Sequence, residues 1–405
     1  MRVLLDLLLI LCLSGGCSES DRTLPEHLRG VWTVVGTMAS AREGHAAVPI
    51  SGDRVLLTGG LDRANAVLDS VEIYDVTAGS VVAAAPMGSG RWGHSATVLA
   101  DGRVLVAGGM GTGGALSSAE IFDPASGSWS PALPMASPRY QHGAVSLAGG
   151  AQVLVVGGLA GAMGQVVAGC ELYDVARRSW GPAGALGAGR GQHTTTSLPG
   201  GRVLVAGGTD GLSALRTTEI YDVQLPVWVA GPGLSSGRLG HAAALVDGRV
   251  LLVGGQTTTV DLLDPERGSV RALLPLDAER GDHTLTPLPQ GPLLLAGGQG
   301  GGHSHDTTLL FDAENERWVA DASMNAARYG HRATLLADGR VVVSGGRDQI
   351  SRLASIELRS FAGGAVSPDG GPADGEAGLP TTEGGVVPDG SAVVPEGGAV
   401  DAGGE

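Results

Sequence analysis

The 405-residue chain carries a net charge of −15, 69 glycines, few aromatic residues and no lysine, so that all 26 of its basic residues are arginine. A chain this long can bury a sizeable core without disulfide staples. Its negative balance excludes the cation-rich surface that tracks nucleic-acid phosphates, and no nucleic-acid partner is expected.

The chain opens with MRVLLDLLLILCLSGGC: a basic start, an apolar run from Leu7 to Leu13 too short to span a bilayer, and small residues before a cysteine. This pattern predicts a signal peptide over residues 1–16. Leu13-Ser14-Gly15-Gly16-Cys17 resembles a bacterial lipoprotein lipobox, although the leucine lies one place further from the cysteine than usual and Asp6 interrupts the apolar run. The resemblance implies lipidation of Cys17 and membrane attachment in the cell envelope. Simple cleavage and secretion is the alternative. Residues 17–30 are expected to form a linker. Cys12 would leave with the signal and Cys170 would then have no partner, so a disulfide is not expected.

From residue 31 to 361 the chain repeats itself. Arginine and histidine recur three apart at Arg42/His45, Arg91/His94, Arg139/His142, Arg190/His193, Arg238/His241, Arg280/His283 and Arg328/His331, spaced 42 to 51 residues apart. Each pair is followed by an apolar run that closes on two glycines, as in HSATVLADGRVLVAGG, residues 94–109. The pattern predicts two short strands joined by a tight turn at Asp101-Gly102, with the turn repeated at Asp247-Gly248 and Asp338-Gly339. A third strand is predicted in VEIYD, AEIFD, CELYD and TEIYD, and a fourth around Trp129, Trp180, Trp228 and Trp318. Four antiparallel strands recurring at this period, with no helical pattern between them, describe a propeller blade.

With the Gly-Gly strand end, the third-strand tyrosine and the fourth-strand tryptophan in order, these units resemble kelch repeats. The resemblance implies an all-β fold, a seven-bladed β-propeller of four-stranded antiparallel blades. The stretch GVWTVVGTM around Trp32 is a fourth strand lying ahead of the first unit, whereas the last unit ends at SIELRSF without a tryptophan. The N-terminal strand is therefore expected to close the ring and remove an exposed edge. Blades five and six depart from the pattern, with VDLLD and Val270 in one and Leu309 at the glutamate position of the other, and are expected to pack less tightly. Residues 362–405, rich in Gly, Pro, Asp and Glu and without an aromatic residue or arginine, are expected to be a disordered acidic tail.

Seven copies of one spelling argue for construction, because a catalytic constellation needs different residues in different roles. Glu72, Glu120, Glu171, Glu219 and Glu357 recur as regularly and are candidate partners of the arginines, although Arg280 is kept where Leu309 replaces its glutamate. A second reading stays open. Kelch proteins that bind acidic peptides use arginines at a similar place, so the resemblance implies an anion-attracting ring of Arg42, Arg91, Arg139, Arg190, Arg238, Arg280 and Arg328 on one face. Glu43, Trp92, Tyr140 and Tyr329 directly follow their arginines and vary from blade to blade, as a recognition surface requires.

Other candidates carry less. GMGTGG, residues 109–114, spells a dinucleotide motif, but a strand rather than a helix follows it. His303, His305 and Asp306 are of metal-binding type, yet they lie on a glycine-rich loop that would hold ligands loosely. No cofactor and no catalytic residue are expected. The reading is a secreted or surface-anchored, non-enzymatic scaffold that binds a protein, peptide or other acidic ligand. The alternative is a carbohydrate-active enzyme of mutarotase or oxidase type. Oxidases similar to galactose oxidase need a cysteine cross-linked to a tyrosine, and after the lipobox only Cys170 remains, beside Glu171 on a third strand.

Overall fold

A computed structural model describes residues 28–161, 164–289 and 291–361. The expected signal peptide, the lipidation site at Cys17 and the acidic tail lie outside these residues. The described chain forms seven four-stranded antiparallel sheets. Blade 1 runs through Ala46–Ile50, Arg54–Thr58, Val71–Asp75 and Ser80–Ala84, and the next five blades repeat this order. Blade 7 contributes Arg332–Leu335, Val341–Ser344 and Ser355–Phe361, and its fourth strand is Gly30–Thr37 from the other end of the chain. That strand runs antiparallel to Ser355–Phe361, from Gly30 opposite Phe361 to Thr37 opposite Ser355, with a bulge between Val34 and Gly36.

The second strand of every blade is apolar on both faces, as in Val104–Ala107, because it lies between neighbouring sheets with no solvent on either side. The first strands neighbour one another around a central axis. Fourth strands form the rim, and five of the seven are only four or five residues long, which limits the edge those blades offer for pairing. Asp247 and Gly248 both take positive φ, 48° and 75°, as a two-residue hairpin of this kind needs. At Asp101-Gly102 and Asp338-Gly339 only the glycine does, and the aspartate side chain instead accepts from the arginine two residues on.

The core is divided into seven apolar wedges, each filled from two adjacent blades. Between blades 1 and 2, for example, Leu56 and Ile73 meet Val104 and Phe122, and between blades 6 and 7 Trp32 joins Leu294, Leu310 and Val343. Outer ties add to this: Trp129, Trp180 and Trp228 donate their indole N–H to Ala85, Leu133 and Ala183 on the preceding blade. The expected looseness of blades 5 and 6 does not extend to the wedge between them. The wedge between them holds ten buried apolar side chains, more than any other. Leu263 stands at the tyrosine position with no exposed surface, and its wedge, between blades 4 and 5, holds seven buried apolar side chains, the fewest among the described residues.

Candidate functional site

The repeated Arg-x-x-His phrase is the turn that leads into each first strand, and the structure gives its three parts separate tasks. The arginine side chain folds back into its own blade. Arg91 Nη1 donates to the carbonyls of Gly108 (2.7 Å) and Ser118 (3.1 Å), and Nη2 donates to Ser118 Oγ and to Glu120 Oε1 (2.6 Å). Equivalent ion pairs join Arg42 to Glu72, Arg139 to Glu171, Arg190 to Glu219 and Arg328 to Glu357. In blade 5 the shorter Asp261 takes the glutamate's place, pairing with Arg238 at 2.7 Å and leaving its Oδ1 without a partner.

The arginine backbone works in the other direction. Its carbonyl accepts the N–H of the second glycine of the preceding blade: Gly60 to Arg91 (2.9 Å), Gly109 to Arg139 (2.8 Å), and onward through Gly346 to Arg42 (2.9 Å). A Cβ on Gly59 would collide with the Arg91 carbonyl, and one on Gly60 would lie 2.9 Å from the Glu43 carbonyl. The double glycine therefore recurs because two blades close on it from opposite sides.

The histidine completes the joint. Its Nε2 meets a hydroxyl on the preceding blade: His45 meets Ser344 (3.0 Å), His94 Thr58 (2.8 Å), His142 Ser95 (2.9 Å), His241 Thr194 (2.9 Å) and His331 Thr284 (3.1 Å). His193 and His283 have no such partner, because Gly143 and Ala242 stand where Ser95, Thr194 and Thr284 stand elsewhere. Burial, reinforced by the adjacent arginines, holds His142, His193 and His283 down to about 3, and the other four well below the usual imidazole range. Neutral at physiological pH and sealed between blades, they are not poised for acid-base chemistry.

The expected arginine-lined face is thus corrected. Arg42, Arg91, Arg139, Arg190, Arg238 and Arg328 are at most 1% exposed and Arg280 is 5% exposed, and the first six are each neutralised by a carboxylate in the same blade. These side chains point into the blade and not at the channel, and in six blades a carboxylate there offsets the cost of taking the guanidinium from water.

Instead the next two residues tie the blades together on this face, where Glu43, Trp92 and Tyr329 are half-buried and Tyr140 is buried. Glu43, Trp92, Tyr140 and Tyr329 each bridge to the residue that follows the glycine pair, which ties the turn to the loop leaving the second strand and places both on one face. Trp92 packs edge-on against Tyr140 with ring centroids 5.4 Å apart, and the Arg347 guanidinium lies over Tyr329 at 5.7 Å. Glu43 accepts from Arg352 Nε at 2.9 Å and so joins blades 1 and 7. One residue further on, the backbone forms a second belt around the axis, with Gly93 donating to Gly44 (2.8 Å), Gln141 to Gly93 (2.7 Å), Gln192 to Gln141 (3.1 Å), Gly240 to Gln192 (3.3 Å), Asp282 to Gly240 (2.7 Å) and Gly330 to Asp282 (2.9 Å).

All seven belt residues take positive φ, which explains four glycines and makes Gln141, Gln192 and Asp282 notable. Their side chains give the opening its polarity. Gln192 donates to Gln141 (3.0 Å), and Gln299 donates to Asp282 (2.9 Å), whose carboxyl is raised by desolvation although its side chain reaches solvent. Arg332, on the first strand of blade 7, donates to the His45 carbonyl at 2.8 Å. Reading along the repeat missed this set; non-glycine residues two places after the arginine were the available signal.

The loops on the same face end in Leu212, 96% exposed, and Ile350, 90% exposed. His303, His305 and Asp306 do not form a metal centre: among the described residues no group of three or more His, Cys, Asp or Glu side chains converges on one point. His303 lies 3.5 Å from Gln349, which also donates to the Gly302 carbonyl. Cys170 is buried, and its thiol is pushed up to about 11 by desolvation.

Residues 44–88 and 91–136 match the family described as Kelch motif. No curated protein matches the chain. Among solved structures it is similar to a fungal alcohol oxidase of the AA5 family in complex with copper, with a TM-score of 0.68, 18% identity, and coverage of 86% of this chain and 79% of that one. It is also similar to YjhT, with a TM-score of 0.57, 15% identity, and coverage of 71% and 99%. At these identities the likeness is one of fold.

Proposed function

Because the chain is a kelch-repeat β-propeller, a fold that serves both binding scaffolds and enzymes, we propose that it is a binding scaffold for a protein or peptide at the cell surface or outside the cell. The observation that carries this reading is the pair of almost fully exposed aliphatic loop tips, Leu212 and Ile350, on the same face as Trp92 and Tyr329. An aliphatic side chain held out in solvent at a loop tip gains free energy when a partner covers it. An acidic group on the ligand would meet Arg63 and Arg347 on the loops of blades 1 and 7, and the buried ring of repeated arginines takes no part.

The test is capture of extracellular partners by the intact protein and by a Leu212→Asp/Ile350→Asp variant, with Leu225→Asp on the rim as control. A partner bound by wild type and by the rim variant, and lost from the loop variant, supports this face. Equal binding by all three places recognition elsewhere. Turnover of a sugar panel by the wild type would favour the enzyme reading instead.

A further inference from the structure

In six blades one carboxylate bridges two kinds of donor. It takes Nη2 of the repeated arginine and also the backbone N–H three residues before that arginine: Ala39 donates to Glu72 (2.8 Å), Gly88 to Glu120 (2.7 Å), Ala136 to Glu171 (2.7 Å), Gly187 to Glu219 (2.7 Å), Ser235 to Asp261 (3.0 Å) and Asn325 to Glu357 (2.6 Å). A guanidinium and a backbone amide set to receive two oxygens form a carboxylate cradle.

Blade 6 keeps the cradle and lacks the carboxylate. Leu309 stands opposite Leu295 and Ala320, the ladder position that Glu120 occupies opposite Val106 and Pro131. Arg280 remains buried. Its Nη1 donates to Gly297 O (2.7 Å) and Thr307 O (3.3 Å), its Nη2 to Thr307 Oγ1, and its Nε has no partner. Asp277 is the residue three before it, and no described hydrogen bond takes its N–H. Neither Asp277 nor Asp306 forms an ion pair with Arg280 within 4.0 Å, although both act on it electrostatically. Desolvation brings this guanidinium down to about 10.

We propose that blade 6 binds a small carboxylate anion, formate or acetate in size, between Arg280 Nη2 and the Asp277 N–H. Leu309 carries no atom that can accept from either donor, so a bound carboxylate would supply the acceptor oxygens that Glu120 supplies in blade 2. The place lies near solvent, since Leu309 is half-buried and Asp277 is exposed.

The experiment is thermal unfolding of the intact protein at pH 7 and constant ionic strength while formate replaces chloride, together with line broadening of ¹³C-formate by NMR. Wild type is expected to gain about 3 °C or more at saturation and to broaden the formate signal. The Leu309→Glu variant, which carries its own carboxylate into the cradle as five other blades do, should melt higher than wild type in chloride and respond to formate in neither measurement. An equal formate shift in both proteins, no broadening by wild type, or a Leu309→Glu chain that does not fold would each overturn the assignment.

Discussion

Arg328 and Glu357 form an ion pair from which water is excluded altogether, each side chain being 0% exposed. The same carboxylate accepts the N–H groups of Asn325 and Ala326, so a single side chain fixes both the arginine and the turn before it.

Removing one partner should therefore be severe. Glu357→Ala is expected to lose about 3–5 kcal/mol by stranding a buried guanidinium, whereas Arg328→Met/Glu357→Leu together should recover much of that loss. Chemical denaturation of the wild type, both single variants and the double variant checks this. A double variant no better than the worse single would show that the carboxylate's bonds to the turn matter more than the charge.

The histidine joints make a prediction of opposite sign. Ala242→Ser places a hydroxyl where Thr194 and Thr284 already serve His241 and His331, and it gives the orphaned His283 Nε2 a partner. A gain of about 1 kcal/mol is expected, while Thr194→Ala should lose about 1–3 kcal/mol by orphaning His241. Unfolding curves measured at pH 7.5 decide both.

The same histidines set the response to acid. Their folded-state values lie below those of the unfolded chain, so unfolding takes up protons. The stability they allow is complete above about pH 6.5 and falls as pH drops towards about 3. Each histidine contributes a slope of about 1.4 kcal/mol per pH unit once the unfolded side chains are protonated. Denaturant midpoints between pH 7.5 and 5 should fall steeply, before the carboxylates titrate. A flat profile would mean that these imidazoles accept protons in place.

The seven-fold period, the glycine pairs and the strand around Trp32 were legible because each marks a local backbone requirement. Side-chain direction was not. The spacing put the seven arginines at the start of the first strands, but whether a guanidinium turns to the channel or back into its blade depends on the turn dihedrals and on a carboxylate some thirty residues later. Glu120 and its counterparts were visible as candidate partners, and the burial of Arg91 decided between the two readings. Blades 5 and 6 were legible only in part: Leu263 and Val270 leave the wedge towards blade 4 with the fewest buried side chains among the described residues, whereas the wedge between blades 5 and 6 is filled from other positions.

The bond from Gly346 back to Arg42 means that this array has no last member. An open stack of repeats can fray from either tip and can gain or lose a unit, its stability being close to a sum over neighbours. Here every blade is an interior one, so adding or deleting a unit would require all seven joints to change their angle at once, and melting is expected to run through the whole circle in one step.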